Sequence, residues 1–153
     1  MLPIEHSREN QPKGIFVNAQ QNVFDLAGRI LISAIFLLSG FSKFGGYAGT
    51  QGYMEAMGVP GALLPLVIAL EILAPIAIIV GYRVRGAAFL LAGFTLLSAL
   101  LFHRNLGDPM QYLMFWKNVA MAGGLLHLVA RGAGDWSLDA RRDALSAPKE
   151  VLR

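Results

Sequence analysis

The groups in this chain that are able to do chemistry sit where charge is least welcome. Glu71, in the stretch ALEILAP, is the one acidic residue deep in a long apolar run, and Lys117 and Asn118 interrupt another at FWKNVAM. Lys43 closes a third run at SGFSKF, and His103 ends a fourth. A carboxylate or an amine can hold and pass protons, while an amide or imidazole can hydrogen-bond a ligand carbonyl. Placing one such charge in hydrocarbon costs about 2.5 kcal/mol or more, so each is expected to face a partner, a ligand or a cavity. Pro75 lies one turn beyond Glu71 and has no N–H. It deprives the Glu71 carbonyl of its helical donor and predicts a kink, with a second acceptor at the same depth. The competing structural reading is a buried acid that only fastens two helices.

The elements that must position these groups are membrane helices. Hydrophobic residues make up 55% of the 153-residue chain and charged ones 15%, against about a quarter in soluble domains. Apolar runs near 24–44, 61–81, 84–103 and 110–131 each approach the about 20 residues that a helix needs to cross a bilayer. They are apolar on all faces and joined by short links, which predicts an all-α integral membrane four-helix bundle of antiparallel neighbours. The bundle occupies 24–131, between a polar N-terminal tail (1–23) and a polar, only partly ordered C-terminal tail (132–153). The link GGYAGTQGYMEAMGVPG is expected to form a short interfacial helix around Tyr53, Met54 and Met57, ended by Gly58, Pro60 and Gly61.

Basic residues give an orientation. Arg8, Lys13, Arg29, Arg83, Arg85, Arg131, Arg141, Arg142, Lys149 and Arg153 fall on the side holding both termini, against Lys43, Arg104 and Lys117 on the other. Lys and Arg accumulate on the cytoplasmic side, so both termini are predicted to be cytoplasmic and the first helix a retained span of the inner membrane. The net charge of +3 follows from this bias and from anionic lipid, with no basic-aromatic patch for nucleic acid. The chain has no cysteine, which excludes thiol redox chemistry and thiolate metal ligation within it.

Helical spacing puts Arg29, Ser33, Phe36, Gly40 and Lys43 on one face of the first span, and Ala88, Ala92, Thr95, Ala99 and Phe102 on one face of the third. Such stripes mark close helix packing or a shared interior. Lys117 enters roughly 9 Å from the outer end and Glu71 roughly 15 Å, a difference that a lysine stem spans if their helices are adjacent. Lys43, Glu71, His103, Lys117 and Asn118 are therefore expected to converge in the outer half as a binding site, with Lys117 as partner of Glu71. Arg29 is expected to snorkel to cytoplasmic head groups and His127 to be a hydrogen-bonded core or interface histidine. His6, His103 and His127 lie at different depths, so no metal site is expected.

The segments GRILISAIFLLSGFSKF, ALEILAPIAIIVGYRVRGAA, WKNVAMAGGLL and GAGDWSLD appear in that order. From Gly28 to Asp139 the chain resembles the DoxX family of small four-helix membrane proteins. The resemblance implies association with membrane oxidoreductases, among them systems of thiosulfate and quinol oxidation and of oxidative stress. The soluble thiosulfate-binding domains of some members are missing, so an autonomous thiosulfate oxidase is not expected. The favoured reading is an accessory subunit in which Lys117 or His103 hydrogen-bonds a quinone carbonyl and Glu71 relays a proton. Electrons would come from a membrane or redox partner protein, because the chain carries no flavin, haem or iron-sulfur motif. The alternatives are a small-molecule or proton-coupled transporter, which would require a homo-oligomer, and a non-catalytic scaffold or assembly factor.

Overall fold

The computed structural model describes residues 14–146, with side chains described from residue 19 onward. His6 and residues 147–153 lie outside the described residues. Among the described residues six α-helices follow one another: α1 (Gly14–Gly45), α2 (Tyr47–Ala56), α3 (Leu64–Val80), α4 (Val84–Phe102), α5 (Pro109–Arg131) and α6 (Leu138–Ser146). Four segments are long and apolar enough to cross a membrane: Ala19–Gly45, Gly61–Val80, Val84–Phe102 and Pro109–Arg131. The first helix starts at Gly14, so the last ten residues of the predicted N-terminal tail are helical.

Helix ends follow local chemistry. Asp108 caps α5 by accepting from the Met110 and Gln111 N–H groups at 2.9 Å, with Pro109 in the first turn. α3 closes on Gly81 at φ 78°, a left-handed conformation that glycine adopts without penalty. A side chain there would also collide with Ser137 and with the Arg29 guanidinium, so the position needs glycine twice over. α2 is the short helix expected in the first link, and Gly58, two residues beyond its end, turns the chain with φ 80°. α3 continues as one helix through Pro75, which is buried.

Around the bundle, α3 packs on α1 and α4, while α5 packs chiefly on α4. The end nearest the termini is filled: Phe36, Ile78, Val84, Ala88, Leu91 and Leu125 form one core. A second cluster of Met54, Leu64 and Ile68 sits at the far end beneath α2. Both stripes expected from helical spacing face inward, with Arg29, Ser33, Ala88, Ala92, Thr95 and Ala99 all buried.

Arg29 departs from expectation. It does not snorkel: the residue is 0% exposed and its guanidinium donates to the carbonyls of Ile78 (3.3 Å), Ile79 (3.2 Å) and Trp136 (2.6 Å). The last carbonyls of a helix lack intrahelical donors, and Arg29 reaches those of α3 before it reaches lipid. Its third bond ties in the segment after α5. Asp139 completes the join, accepting from the Arg83 and Val84 N–H groups at 2.8 and 3.0 Å and so capping α4, while its own N–H donates to the Gly81 carbonyl. The first part of the polar C-terminal tail, through Asp139, is thus tied to the bundle, and residues 141–146 of α6 stand exposed.

Candidate functional site

α1 and α3 approach closely where Gly40 faces Glu71 and Ile72. A Cβ on Gly40 would stand 2.9 Å from Ile72 Cγ1 and 3.2 Å from Glu71 Cβ. That proximity places Glu71 under the last turns of α1. Lys43 Nζ donates to Glu71 Oε2 at 2.6 Å and to Ser39 Oγ at 2.7 Å, and Ser39 Oγ donates to Glu71 Oε1 at 3.2 Å. Among the described residues this is the one ion pair. Its side chains are largely withdrawn from solvent, 18% exposed for Lys43 and 6% for Glu71.

The partner of Glu71 is therefore Lys43 and not Lys117. Lys117 sits on α5, which stands across the bundle from α3, and among the described residues its ammonium hydrogen-bonds only the Met114 thioether, at 3.3 Å. Depth along each helix allowed the Lys117 pairing, but helix order around the bundle does not. Lys117 still faces the same space. Together with Lys43, Glu71, His103 and Asn118 it lines a cavity of about 360 Å3 in the half of the bundle far from the termini. All five candidate binding residues thus border one cavity. Asn118 is buried at its wall, and His103 is held by a 2.8 Å hydrogen bond between its Nδ1 and Gln111 Oε1. His127 is exposed on α5 and does not border the cavity. Among the described residues there is no cluster of potential metal ligands.

The rest of the lining is mainly apolar and aromatic, including Ile35, Phe36, Val67, Phe94, Phe102 and Met121. Tyr53 of α2 stacks on Phe102 with ring centroids 5.5 Å apart, and Met54 beside it is 4% exposed. These contacts seat α2 across the far end as a lid. Thr95 lines the cavity too, but its hydroxyl is engaged with the Leu91 carbonyl at 2.6 Å. Ser39 was not singled out from sequence, and Tyr53 was read only as part of the interfacial helix. The signal for Ser39 was its place one helical turn before Lys43, where an ammonium and a hydroxyl share a face.

Chemically, the site offers a carboxylate and an ammonium already paired, a hydroxyl bridging them, and a second ammonium, an amide and an imidazole around an apolar chamber. Such a set can hydrogen-bond the acceptor atoms of a flat, mostly apolar molecule and can hold protons beside it.

The family model described as DoxX matches residues 24–104, which carry most of α1 and all of α2, α3 and α4. The chain is 50% identical over 119 residues to Inner membrane protein YqjF of Escherichia coli strain K12, covering 78% of this chain and 92% of that protein. It is 38% identical over 130 residues to Inner membrane protein YphA of the same strain, covering 80% and 93% respectively. No solved structure matches the chain. With four helices able to span a bilayer and these relatives, the chain belongs to the DoxX family and is an integral inner-membrane protein.

Proposed function

We propose that the protein is a quinone-binding accessory subunit of an inner-membrane oxidoreductase system. The observation that carries this reading is the cavity itself: an apolar, aromatic-walled chamber of about 360 Å3 with a Lys43–Ser39–Glu71 triad on one wall. The volume lies in the range of small-molecule sites, roughly 300–1,000 Å3, which are typically apolar with a few convergent polar groups. A quinone head presents a flat ring and two carbonyl acceptors. Lys43, Lys117 and Asn118 supply donors, and Phe94, Phe102 and Tyr53 supply ring-sized apolar surface.

Reduction of a quinone to a quinol takes up two electrons and two protons. In this reading a partner redox protein delivers the electrons. The residues of this chain orient the head group, and the Glu71–Lys43 pair, linked through Ser39, provides protonatable groups beside a ring carbonyl. Binding of the head to Lys43 replaces part of its contact with Glu71, leaving the carboxylate free to hold a proton.

A titration checks this directly. A short-chain quinone added to detergent-solubilised protein is expected to quench its intrinsic fluorescence saturably. Glu71→Gln or Lys43→Met should weaken binding at least tenfold, the equivalent of about 1.4 kcal/mol. Equal affinity in both variants would contradict a role for the pair in holding the head group. Absence of saturable binding to the native protein would remove the quinone reading altogether.

A further inference from the structure

The way into this cavity is set by which of its lining residues are exposed. At the end near the termini the bundle is closed by Ile78, Val84 and Leu91, each 0% exposed. At the far end α2 lies over the chamber, with Met54 packed among Leu64, Ile68 and Phe102, and Tyr53 stacked on Phe102. The side between α3 and α4 differs. There Leu63, Val67, Leu97, Ser98 and Leu101 all line the cavity, and Leu63 and Leu97 are 44% and 54% exposed. Residues that border a chamber and the outside at once form its mouth.

That mouth is apolar and lies within two segments long enough to cross the bilayer, so it opens onto acyl chains and not onto water. Its only hydroxyl in the group just named, Ser98, is half-buried within. Elsewhere Ile35 of α1 and Tyr53 of α2 line the cavity while 37% and 44% exposed, but Tyr53 is held on Phe102. The gap between α1 and α5 is narrowed by Ile32 against Gly124 and carries the exposed Lys117 at its edge. A charge there suits a polar head and disfavours passage of a hydrocarbon chain.

We infer that the cavity is loaded sideways from the bilayer through the α3–α4 mouth, and that its ligand is a lipid-tailed molecule. The polar head rests on the Lys43–Glu71 pair and the apolar tail leaves between Leu63 and Leu97. This deepens the proposed function and rests on the same chamber, but its test does not depend on the ligand being a quinone.

The absence of cysteine from the chain makes the test clean. Ser98→Cys places one thiol just inside the mouth, and Asp135→Cys, in the exposed segment after α5, serves as a water-facing control. Both are reconstituted in vesicles made permeable by a pore-forming peptide. They are then labelled either with an apolar alkyl maleimide or with a permanently charged thiosulfonate. The control should react readily with both reagents. Ser98→Cys should react with the apolar reagent at a rate at least tenfold above that of the charged one, each normalised to the control. Adding Leu97→Trp, at a lipid-facing position that tolerates bulk, should slow the apolar reaction several-fold with no loss of thermal stability. Equal normalised rates with the two reagents would overturn lateral loading, since the chamber would then be open to water. An apolar rate unchanged by Leu97→Trp would overturn the α3–α4 mouth. Either result leaves the quinone titration to be decided on its own terms.

Discussion

Arg29→Ala should be the most destabilising single substitution in the protein, lowering stability by roughly 4 kcal/mol, because hydrogen bonds to a charged donor contribute about 1.5–3 kcal/mol each and three carbonyl acceptors would lose such a donor. Those acceptors are the carbonyls of Ile78 and Ile79, at the end of α3, and of Trp136, in the segment leading to α6. One guanidinium thereby joins three parts of the chain. Arg29→Lys should recover less than half of the loss. An ammonium is a point donor on a flexible stem and cannot fork between the end of one helix and a carbonyl of another segment. Thermal unfolding in detergent measures the loss. Limited proteolysis supplies a second check: cleavage between Gly132 and Ser137 should accelerate in both variants as the tail lifts away. A thermal midpoint within two or three degrees of the native protein would show that the guanidinium is not the join described above.

The second large effect concerns the ion pair. Lys43→Met should reduce stability by about 3 kcal/mol, because removing one member of a buried pair leaves the other charge uncompensated. Ser39 alone would then face the Glu71 carboxylate. Lys117→Met, by contrast, should change stability little, since its ammonium meets only a thioether. The double substitution Lys43→Met with Glu71→Met removes both charges and is expected to restore most of the stability, as replacement of buried pairs by apolar residues often does. If the pair served only to fasten α1 to α3, that double variant would behave like the native protein in every assay. With the pair as the head-group site, the double variant is stable yet fails to bind the head group. A single variant Lys43→Met as stable as the native protein would deny the pair any structural weight.

Much of this arrangement could be read from the sequence, for reasons particular to membrane helices. Four apolar runs of spanning length identify the helices with little ambiguity, since lipid demands that backbone groups be satisfied within each segment. Spacing along α1 and α4 placed Ser33, Phe36, Ala92 and Thr95 inward, because one helix has one periodicity. The cavity lining was legible too, in that Lys43, Glu71, His103, Lys117 and Asn118 all border it. The pairing within it was not. Counting residues from a helix end gives depth, and depth allowed Lys117 to meet Glu71. Whether two helices are neighbours depends on the order in which four helices pack, and here Gly40 brings α1 against Glu71 while α5 stands opposite.

The role of Arg29 escaped sequence reading for a related reason. Trp136 lies 107 positions away, so no local pattern joins the two. GAGDWSLD reads as a polar tail by composition, yet each of its special residues has a structural task. Gly132 and Gly134 take φ of 84° and 72°, Ser137 accepts from the Ala140 N–H at the start of α6, and Asp139 caps α4. Polar side chains that serve backbone groups of another segment look, in one dimension, like side chains that serve water.

Extraction of the native protein tests whether the cavity holds a quinone. After purification from its own membrane in mild detergent, the protein is to be extracted with organic solvent and the extract analysed by mass spectrometry. A lipid-tailed quinone is expected to approach one molecule per chain in the native protein and to fall at least tenfold in the stable Lys43→Met, Glu71→Met double variant. A native preparation that carries no quinone above the level of an unrelated inner-membrane protein purified alongside it would rule out quinone binding in the cavity.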